Sequence, residues 1–382
     1  MTHTPRRRLT ALAWLLVLCP ACLADAQDAP PPRTGTFNTT FDQRSPLSRT
    51  DAMAEVGRWD PRQLTDWDLA DVEFQMIVPD GYTGEEAYGL LVFIHPYDDV
   101  DATSPRVFFF GRVIADVLAE HQIIWVSFDA GGNGVLPNKR LGLALDAVHN
   151  VTQRYNIDDQ RVYVSGMSGG GRMTCMAGIY YPQVFTGCVP IVGSMYFRQV
   201  PVPEDPELRA LIRPEPGEHA VWPRTLWAPR RDVLREMKAT QRWVLLTGDA
   251  DFNMPEMRSH FEHGFQRDGF EHAHYLEIPG MDHAFPDAQA FEQAIEHLDA
   301  PLRDGPNEAD GPAGDTPQQR HDEQQAQRRL QAAERMLGPD PARALTMLQR
   351  LVERYPETNT AERARELIAE LENAPPDAEE DP

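Results

Sequence analysis

Apolar runs typical of buried strands alternate with helix-like stretches from about Asp71 to Leu298, and this alternation constrains the fold most strongly. The runs YGLLVFIHP and QIIWVSFDA are apolar almost throughout, as in strands that are buried on both faces. A stretch with helical spacing separates them. Strands that alternate with helices predict a parallel sheet covered by helices on both faces. The expected fold class is α/β with a mostly parallel central sheet.

The first 26 residues have the composition of a signal peptide. Three arginines, Arg6 to Arg8, precede a short apolar stretch, and Ala24-Asp25-Ala26 has the small-x-small pattern of a cleavage site. The apolar stretch is too short to span a membrane in the mature chain. We therefore predict export to the periplasm or the medium, with a lipid on Cys22 as the less favoured alternative. Residues 27–60 lack periodicity and predict an extended lead-in.

The main domain is expected over residues 61–302, with an irregular insertion at 195–241. This insertion is rich in proline, arginine and tryptophan. Long irregular insertions in compact α/β domains are usually functional, so it predicts a lid or a pocket wall. A surface loop without a role in binding is the alternative.

The chain after the main domain changes to linker and then to helix-forming composition. Residues 303–319 predict a linker, 320–373 a small all-α segment with helices at about 321–336, 341–355 and 360–372, and 374–382 a disordered acidic tail. The helical segment resembles tetratricopeptide repeats, but only about one and a half repeats fit. A stack this short buries little surface by itself, so we expect it to pack on the main domain, on a second copy or on a partner. The positions that carry the resemblance are Ala332, Ala344, Leu348, Leu351 and Pro356.

Charge and cysteine content narrow the possible partners. The formal net charge of −23 disfavours binding to nucleic acid or to an anionic membrane. Cleavage after residue 26 leaves two cysteines, Cys175 and Cys188, in a compartment where disulfides form. A disulfide between them is the favoured prediction, and two buried thiols are the alternative.

A GxSxG pattern spans Gly166 to Gly170 and places Ser168 between a strand and a helix. The preceding run RVYV reads as a strand, and a helix is expected from Gly169. At such a turn the central serine projects from the sheet, and the next backbone N–H, that of Gly169, lies at a helix N-terminus where it can stabilise an oxyanion. The pattern alone is weak, but this context favours Ser168 as a nucleophile.

A nucleophilic serine needs a base and a carboxylate, and both follow downstream. The motif TGDAD supplies Asp249 and Asp251 after one strand, and GMDHAF supplies His283 after the last strand. Serine, acid and histidine follow in this order along the chains of α/β-hydrolases. The residue types and their order therefore favour acyl transfer.

With these motifs the chain resembles the α/β-hydrolase superfamily, and within it the secreted serine esterases that include polyhydroxybutyrate depolymerase-like and feruloyl esterase-like proteins. The resemblance runs from about residue 71 to 298, and it rests on PDGY, DAGGNG, YNIDDQRVYVSGMSGGGRM, YPQVFTGCVPIVG, TGDAD and GMDHAF. It implies an α/β-hydrolase fold without a cofactor. It also implies Ser168 as nucleophile, His283 as general base and Asp251 as the orienting acid, with Asp249 as the alternative acid.

One position departs from the pattern of that family. The family carries His-Gly after the strand that here ends at His95, whereas this chain has Pro96. Proline has no N–H, so the second oxyanion donor must be the backbone of Tyr97 or of a later residue. The resemblance implies Tyr97 if the family's donor is the residue after the glycine. Asp98 and Asp99 follow, and we expect them to disfavour acidic substrates near the pocket mouth.

Four histidines, His260, His263, His272 and His274, allow a metal-site reading. No ligand spacing such as HExxH accompanies them, so surface histidines are the favoured prediction.

The sequence thus predicts an exported serine hydrolase that cleaves carboxylic esters. A serine peptidase on the same fold is one alternative. An impaired hydrolase scaffold that binds partners through the C-terminal helices is the other, and Pro96 is its main support.

Overall fold

The computed structural model describes residues 33–98, 105–212, 220–303 and 341–372, with nine further positions between 319 and 337. The predicted signal peptide, most of the predicted linker and the predicted acidic tail lie outside the described residues, as does Asp99. Among the helices that the structure describes, none has both the length and the apolar character needed to cross a membrane.

An eight-stranded sheet forms the centre of the protein. Its strand order is β1-β2-β4-β3-β5-β6-β9-β10, and the six strands from β4 to β10 in this order run parallel. β1 and β2 are antiparallel to their neighbours. The strands are β1 (Gly35–Thr40), β2 (Glu73–Val78), β3 (Tyr88–Ile94), β4 (Ile123–Phe128), β5 (Ile157–Met167), β6 (Gly187–Ile191), β7 (Val200–Pro201), β8 (Val221–Trp222), β9 (Arg242–Gly248) and β10 (His272–Ile278), of which β7 and β8 form a separate pair.

Helices cover both faces of this sheet, and an apolar core lies between the sheet and the helices on each side. The mostly parallel sheet predicted from the alternating pattern is confirmed. The helices are α1 (Thr50–Gly57), α2 (Pro105–Val113), α3 (Ala115–Glu120), α4 (Pro137–Arg154), α5 (Gly169–Tyr180), α6 (Pro206–Leu211), α7 (Arg231–Thr240), α8 (Met254–His260, continued by a π-helical turn over Phe261–Gln266), α9 (Ala288–Arg303), α10 (Pro341–Arg354) and α11 (Asn359–Glu372).

The region predicted as an extended lead-in is more ordered than its composition suggests. Strand β1 pairs with β2 along its whole length, and α1 buries Met53 in the main core. The pattern failed to show these elements because β1 buries only Phe37, and because backbone pairing rather than an apolar face holds it in place.

The last helix of the main domain is anchored by a buried ion pair. The Asp299 carboxylate on α9 accepts hydrogen bonds from Arg161 Nε at 3.2 Å and Nη2 at 3.0 Å, and from the Tyr163 hydroxyl. All three residues are buried. Burial raises the pKa of Asp299, but the Arg161 charge and the hydrogen bonds from His121 and Tyr163 outweigh it and hold that pKa well below 3.8.

Replacing Asp299 with asparagine is expected to destabilise the protein by about 3–5 kcal/mol at pH 7, because the buried Arg161 charge loses its partner. Urea unfolding measures this loss. The low pKa of Asp299 means that its contribution is complete above pH 3.8 and falls as the pH drops below it. The difference in unfolding free energy between wild type and variant should therefore shrink in acid.

The exposed pair of Arg230 and Asp232 offers a control, since Asp232→Asn should leave the unfolding midpoint unchanged. Equal effects of the two substitutions would contradict the role of Asp299.

The C-terminal helices have their own small apolar core and contact the main domain through charged side chains. Arg329 is buried, and it donates to Glu120 Oε2 at 2.7 Å and to Glu292 Oε1 at 2.5 Å. Packing on the main domain is one of the three arrangements expected from the sequence. The helix bounds of α10 and α11 lie within a residue of those predicted. The likeness to tetratricopeptide repeats stays a prediction.

The predicted lid contains β7, α6, β8 and α7. Helix α7 lines a cavity of about 930 Å³ together with Thr186, Arg242 and His272. These three residues lie at the amino ends of β6, β9 and β10, so this cavity is at the edge of the sheet opposite to Ser168. Helix α7 is therefore a wall of this distant cavity, and a lid over Ser168 stays a prediction for the rest of the insertion.

The favoured prediction of a disulfide is wrong, because Cys175 and Cys188 are free, buried thiols. The Cys175 thiol hydrogen-bonds the Met195 backbone, and the Cys188 sulfur lies against Gly178 and 4.0 Å from Gln241 Nε2. Burial raises the pKa of Cys175 to about 12, so its reactive thiolate form is scarce at neutral pH.

Candidate active site

Ser168 lies on a sharp turn between β5 and α5. Its backbone has φ 56° and ψ −114°, a conformation that few residues with a side chain adopt. The Ser168 N–H donates to Ile191 O at 2.8 Å, and the Ser168 carbonyl accepts from Arg172 N at 3.0 Å. These bonds to β6 and to the first turn of α5 hold the strained residue in place.

The glycines on either side of the turn are required by close packing. A Cβ on Gly166 would lie 2.5 Å from Ile94 O, and a Cβ on Gly170 only 1.8 Å from the same atom. No side chain fits at these distances. The glycines of the motif therefore allow the turn to press against the end of β3.

The structure brings Ser168, His283 and Asp251 into one hydrogen-bonded chain. The Ser168 Oγ lies 3.0 Å from His283 Nε2, and His283 Nδ1 lies 2.8 Å from Asp251 Oδ1. Asp251 is fully buried, whereas Ser168 and His283 are partly exposed. The three residues follow the carboxyl ends of β5, β9 and β10, so the order of strands in the sheet places them together.

The Asp251 carboxylate is held by two further donors. Thr247 Oγ1 donates to Oδ2 at 2.7 Å, and the Asn253 N–H donates to Oδ1 at 3.1 Å. These contacts orient Oδ1 toward His283. Sequence reasoning missed Thr247 and Asn253, although their positions within four residues of Asp251 are a usable signal.

Asp249, the alternative acid, faces away from His283. It is exposed, and its Oδ1 accepts the Gly280 N–H at 2.7 Å. This bond ties the end of β9 to the loop that carries His283. In this geometry Asp251, and not Asp249, is bonded to the imidazole.

An exposed aromatic ring covers one face of His283. The Phe252 ring lies parallel to the imidazole at 4.2 Å between centroids with an angle of 28°, and 52% of Phe252 is exposed. Stacking restricts how far the imidazole can tilt, and it leaves an apolar surface beside Ser168.

Phe252→Ala is expected to lower kcat about 2- to 10-fold, since a stacked pair contributes about 0.5–1.5 kcal/mol. Steady-state kinetics on a small ester tests this. Phe252→Trp preserves a stacking ring and should restore most of the rate. A variant with alanine that is as active as wild type would show that the ring does not position His283.

The loop after β3 is held by His95, a buried histidine. Its Nε2 donates to Phe128 O at 2.8 Å, and its Nδ1 accepts the Tyr97 N–H at 3.2 Å. Burial lowers the pKa of His95 to about 4, so the ring is neutral at pH 7 and can play both roles. The N–H of Tyr97, predicted as an oxyanion donor, is thus directed at His95 in this structure.

The prediction that the clustered histidines lie on the surface is wrong for His260. His260 is buried, and its Nδ1 lies 2.8 Å from Ser194 Oγ. Burial, together with the nearby Arg172 charge, lowers the pKa of His260 to about 3. The ring is therefore neutral, and a hydroxyl partner offsets its burial. His263 is exposed, and His272 and His274 are half-buried.

Among the described residues, one group of side chains has the spacing of a metal site, and it does not include these four histidines. It contains His121, Glu292 and Glu296, all of which lie within ion-pair or hydrogen-bond distance of the Arg329 guanidinium. A cation there would have to displace a buried arginine.

Comparisons with known proteins show similarity to hydrolases. A sequence model described as the prolyl oligopeptidase family matches residues 144–300, which include Ser168, Asp251 and His283. The protein has an α/β-hydrolase fold. The match spans less than half of the chain. It therefore shows a similarity to the prolyl oligopeptidase family and does not show membership of it.

A curated relative and several solved structures are also similar. The chain is 45% identical over 49 residues to poly(3-hydroxyalkanoate) depolymerase C of Paucimonas lemoignei. These 49 residues cover 13% of this chain and 12% of that protein. An arylesterase structure aligns with TM-score 0.43 and 12% identity over 71% of this chain and 86% of that one. A ferulic acid esterase from Anaeromyces mucronatus aligns with TM-score 0.44 and 12% identity over 73% and 95%.

Proposed function

We propose that the protein is a serine hydrolase that cleaves carboxylic esters through an acyl-enzyme on Ser168. The observation that carries this proposal is the hydrogen-bonded chain from Ser168 Oγ through His283 to the buried Asp251 carboxylate. A serine hydroxyl becomes a nucleophile when a positioned base takes its proton, and a carboxylate on the far nitrogen sets the imidazole tautomer that can do so.

In the proposed reaction, Ser168 Oγ attacks the ester carbonyl carbon while its proton passes to His283 Nε2. The carbonyl π electrons move to the oxygen, and the Gly169 N–H at the start of α5 donates to the resulting oxyanion. His283 then protonates the leaving alcohol. Water repeats the sequence on the acyl-enzyme and releases the acid. The reaction needs no cofactor.

A serine peptidase is the second candidate function. The likeness to the prolyl oligopeptidase family over residues 144–300 favours it. The same three residues would attack a peptide carbonyl, and His283 would protonate a leaving amine. We prefer an ester because a relative that is 45% identical over 49 residues is named as a poly(3-hydroxyalkanoate) depolymerase.

Labelling with a fluorophosphonate probe tests the proposal. The expected result is one adduct per chain, located on the peptide that contains Ser168 by mass spectrometry. A panel of p-nitrophenyl esters with increasing acyl length, and a parallel panel of peptide anilides, then separates the two candidate functions. Cleavage of anilides alone would favour the peptidase. Absence of both labelling and turnover would favour the third reading, a scaffold without activity.

We also propose export, because residues 1–26 carry the pattern of a signal peptide. Fractionation of cells that express the full chain would test this proposal. Recovery in the periplasm or the medium with an N-terminus near Gln27 is expected, whereas lipid attachment would give an N-terminus at Cys22. Binding of a protein partner by the C-terminal helices likewise remains a proposal.

A further inference from the structure

The oxyanion in the proposed reaction needs a second hydrogen-bond donor, and neither Pro96 nor Tyr97 in the loop after β3 offers one freely. Pro96 has no N–H. The Tyr97 N–H donates to His95 Nδ1, which must accept because His95 Nε2 carries the proton that binds Phe128 O. His95 is buried and neutral, so this arrangement persists at neutral pH.

A side-chain amide lies directly over the first residue of α5. A Cβ built on Gly169 would lie 1.8 Å from Asn133 Oδ1 and 3.1 Å from Asn133 Nδ2. The amide is thus in contact with the residue whose N–H is the first proposed donor. Rotation about the Cβ–Cγ bond of asparagine exchanges the two ends of the amide at low cost, so the NH₂ group can face the same space.

The loop that carries Asn133 is attached to the loop after β3. The Asn133 N–H donates to Pro96 O at 3.3 Å, and the Gly134 N–H donates to Asp98 Oδ1 at 2.5 Å. A Cβ on Gly132 would lie 2.3 Å from Tyr97 O, so the two loops are in close contact there as well. These contacts fix the backbone of Asn133 beside Gly169, the residue that follows Ser168.

The Asn133 side chain has unused hydrogen-bonding capacity. The residue is exposed, and no hydrogen bond joins its amide to any residue that the structure describes. An amide NH₂ held by its backbone next to the residue after the nucleophile, with no partner among the described residues, is suited to a negative charge that develops only during the reaction.

We propose that the Asn133 amide is the second oxyanion donor, which together with the Gly169 N–H binds the negative oxygen of the tetrahedral intermediate. This inference rests on the proposed function and names one of its catalytic residues. Nδ2 donates a hydrogen bond and keeps its proton, so the electron and proton movements of the reaction are unchanged. The role assigned to the Tyr97 N–H by family resemblance passes to a side chain, which makes Pro96 compatible with activity.

The test is the turnover of a p-nitrophenyl ester by Asn133→Leu and Asn133→Asp. Both keep the approximate volume of the side chain and remove its NH₂ group. We expect kcat to fall about 10²- to 10³-fold with KM within a few-fold, as for loss of one oxyanion donor. The matched control is Asn156→Leu, an exposed asparagine just before β5 at the opposite edge of the sheet, which should keep wild-type kcat.

Further measurements separate this inference from the proposed function. The pH dependence of kcat/KM should keep its shape in Asn133→Leu, because His283 and Asp251 are untouched. Fluorophosphonate should still label Ser168 in this variant, more slowly than in wild type. If wild type turns over ester and Asn133→Leu retains kcat within threefold, the inference is overturned. If wild type neither labels nor turns over, the proposed function itself fails.

Discussion

Ser168→Ala is expected to lower kcat for a p-nitrophenyl ester by about 10⁶-fold, which removes turnover above background. The hydroxyl is the group that would form the covalent bond to the acyl carbon, and it belongs to a strained residue at the start of α5. Loss of a catalytic serine has an effect of about this size in other serine hydrolases. Steady-state kinetics with a chromogenic ester measures it.

The chain contains its own control for this experiment. Ser194 and His260 form a second serine–histidine hydrogen bond at 2.8 Å, but both residues are buried. Ser194→Ala should cost stability, because it leaves His260 Nδ1 without its hydrogen-bond partner, yet kcat should stay within a few-fold of wild type. If Ser194→Ala removed turnover and Ser168→Ala did not, the assignment of the nucleophile would be wrong.

Asp251→Asn is expected to lower kcat by about 10⁴-fold. The Oδ1 atom accepts from both His283 Nδ1 and the Asn253 N–H, and Oδ2 accepts from the Thr247 hydroxyl. An amide NH₂ in either place would face a donor, so the imidazole would lose its acceptor or turn to the tautomer that cannot take the Ser168 proton. KM should change little, because Asp251 is fully buried.

Asp249→Asn is the matched comparison for Asp251→Asn. It makes the same chemical change two residues away, at an exposed carboxylate that accepts the Gly280 N–H. Asparagine keeps an oxygen for that bond, so near-normal kcat is expected. A larger loss in Asp249→Asn than in Asp251→Asn would reverse the choice between the two acids.

The nucleophile was predicted from a short stretch of sequence around Ser168. A strand, a glycine turn and a helix are read within a dozen residues around Ser168, and the clash of any Cβ on Gly170 with Ile94 O explains why this pattern is restrictive. The alternation of strands and helices likewise predicted the parallel sheet. A parallel sheet places the ends of β5, β9 and β10 at one edge, so His283 was predictable from its position after the last strand.

Other features depended on contacts between residues far apart in the chain. The sequence does not distinguish the four histidines of the cluster. In the structure His260 is buried, and the hydroxyl of Ser194 is the hydrogen-bond partner that offsets this burial. Asp249 and Asp251 look equivalent in the sequence. The structure distinguishes them by the direction in which each side chain leaves the loop after β9. The sequence allows a disulfide between the two cysteines, whereas their packing on α5 and β6 gives each sulfur a different neighbour.

By itself, then, the sequence determined the α/β architecture, the turn that presents Ser168 and the order of the three residues, because these follow from periodicity, glycine sterics and strand order. The tertiary structure alone decided which acid meets His283 and where the Tyr97 N–H points. It also placed the Asn133 amide over Gly169. Hydrogen-bond partners in a folded protein are set by distances of a few tenths of an ångström between separate loops, and a linear pattern does not encode such distances.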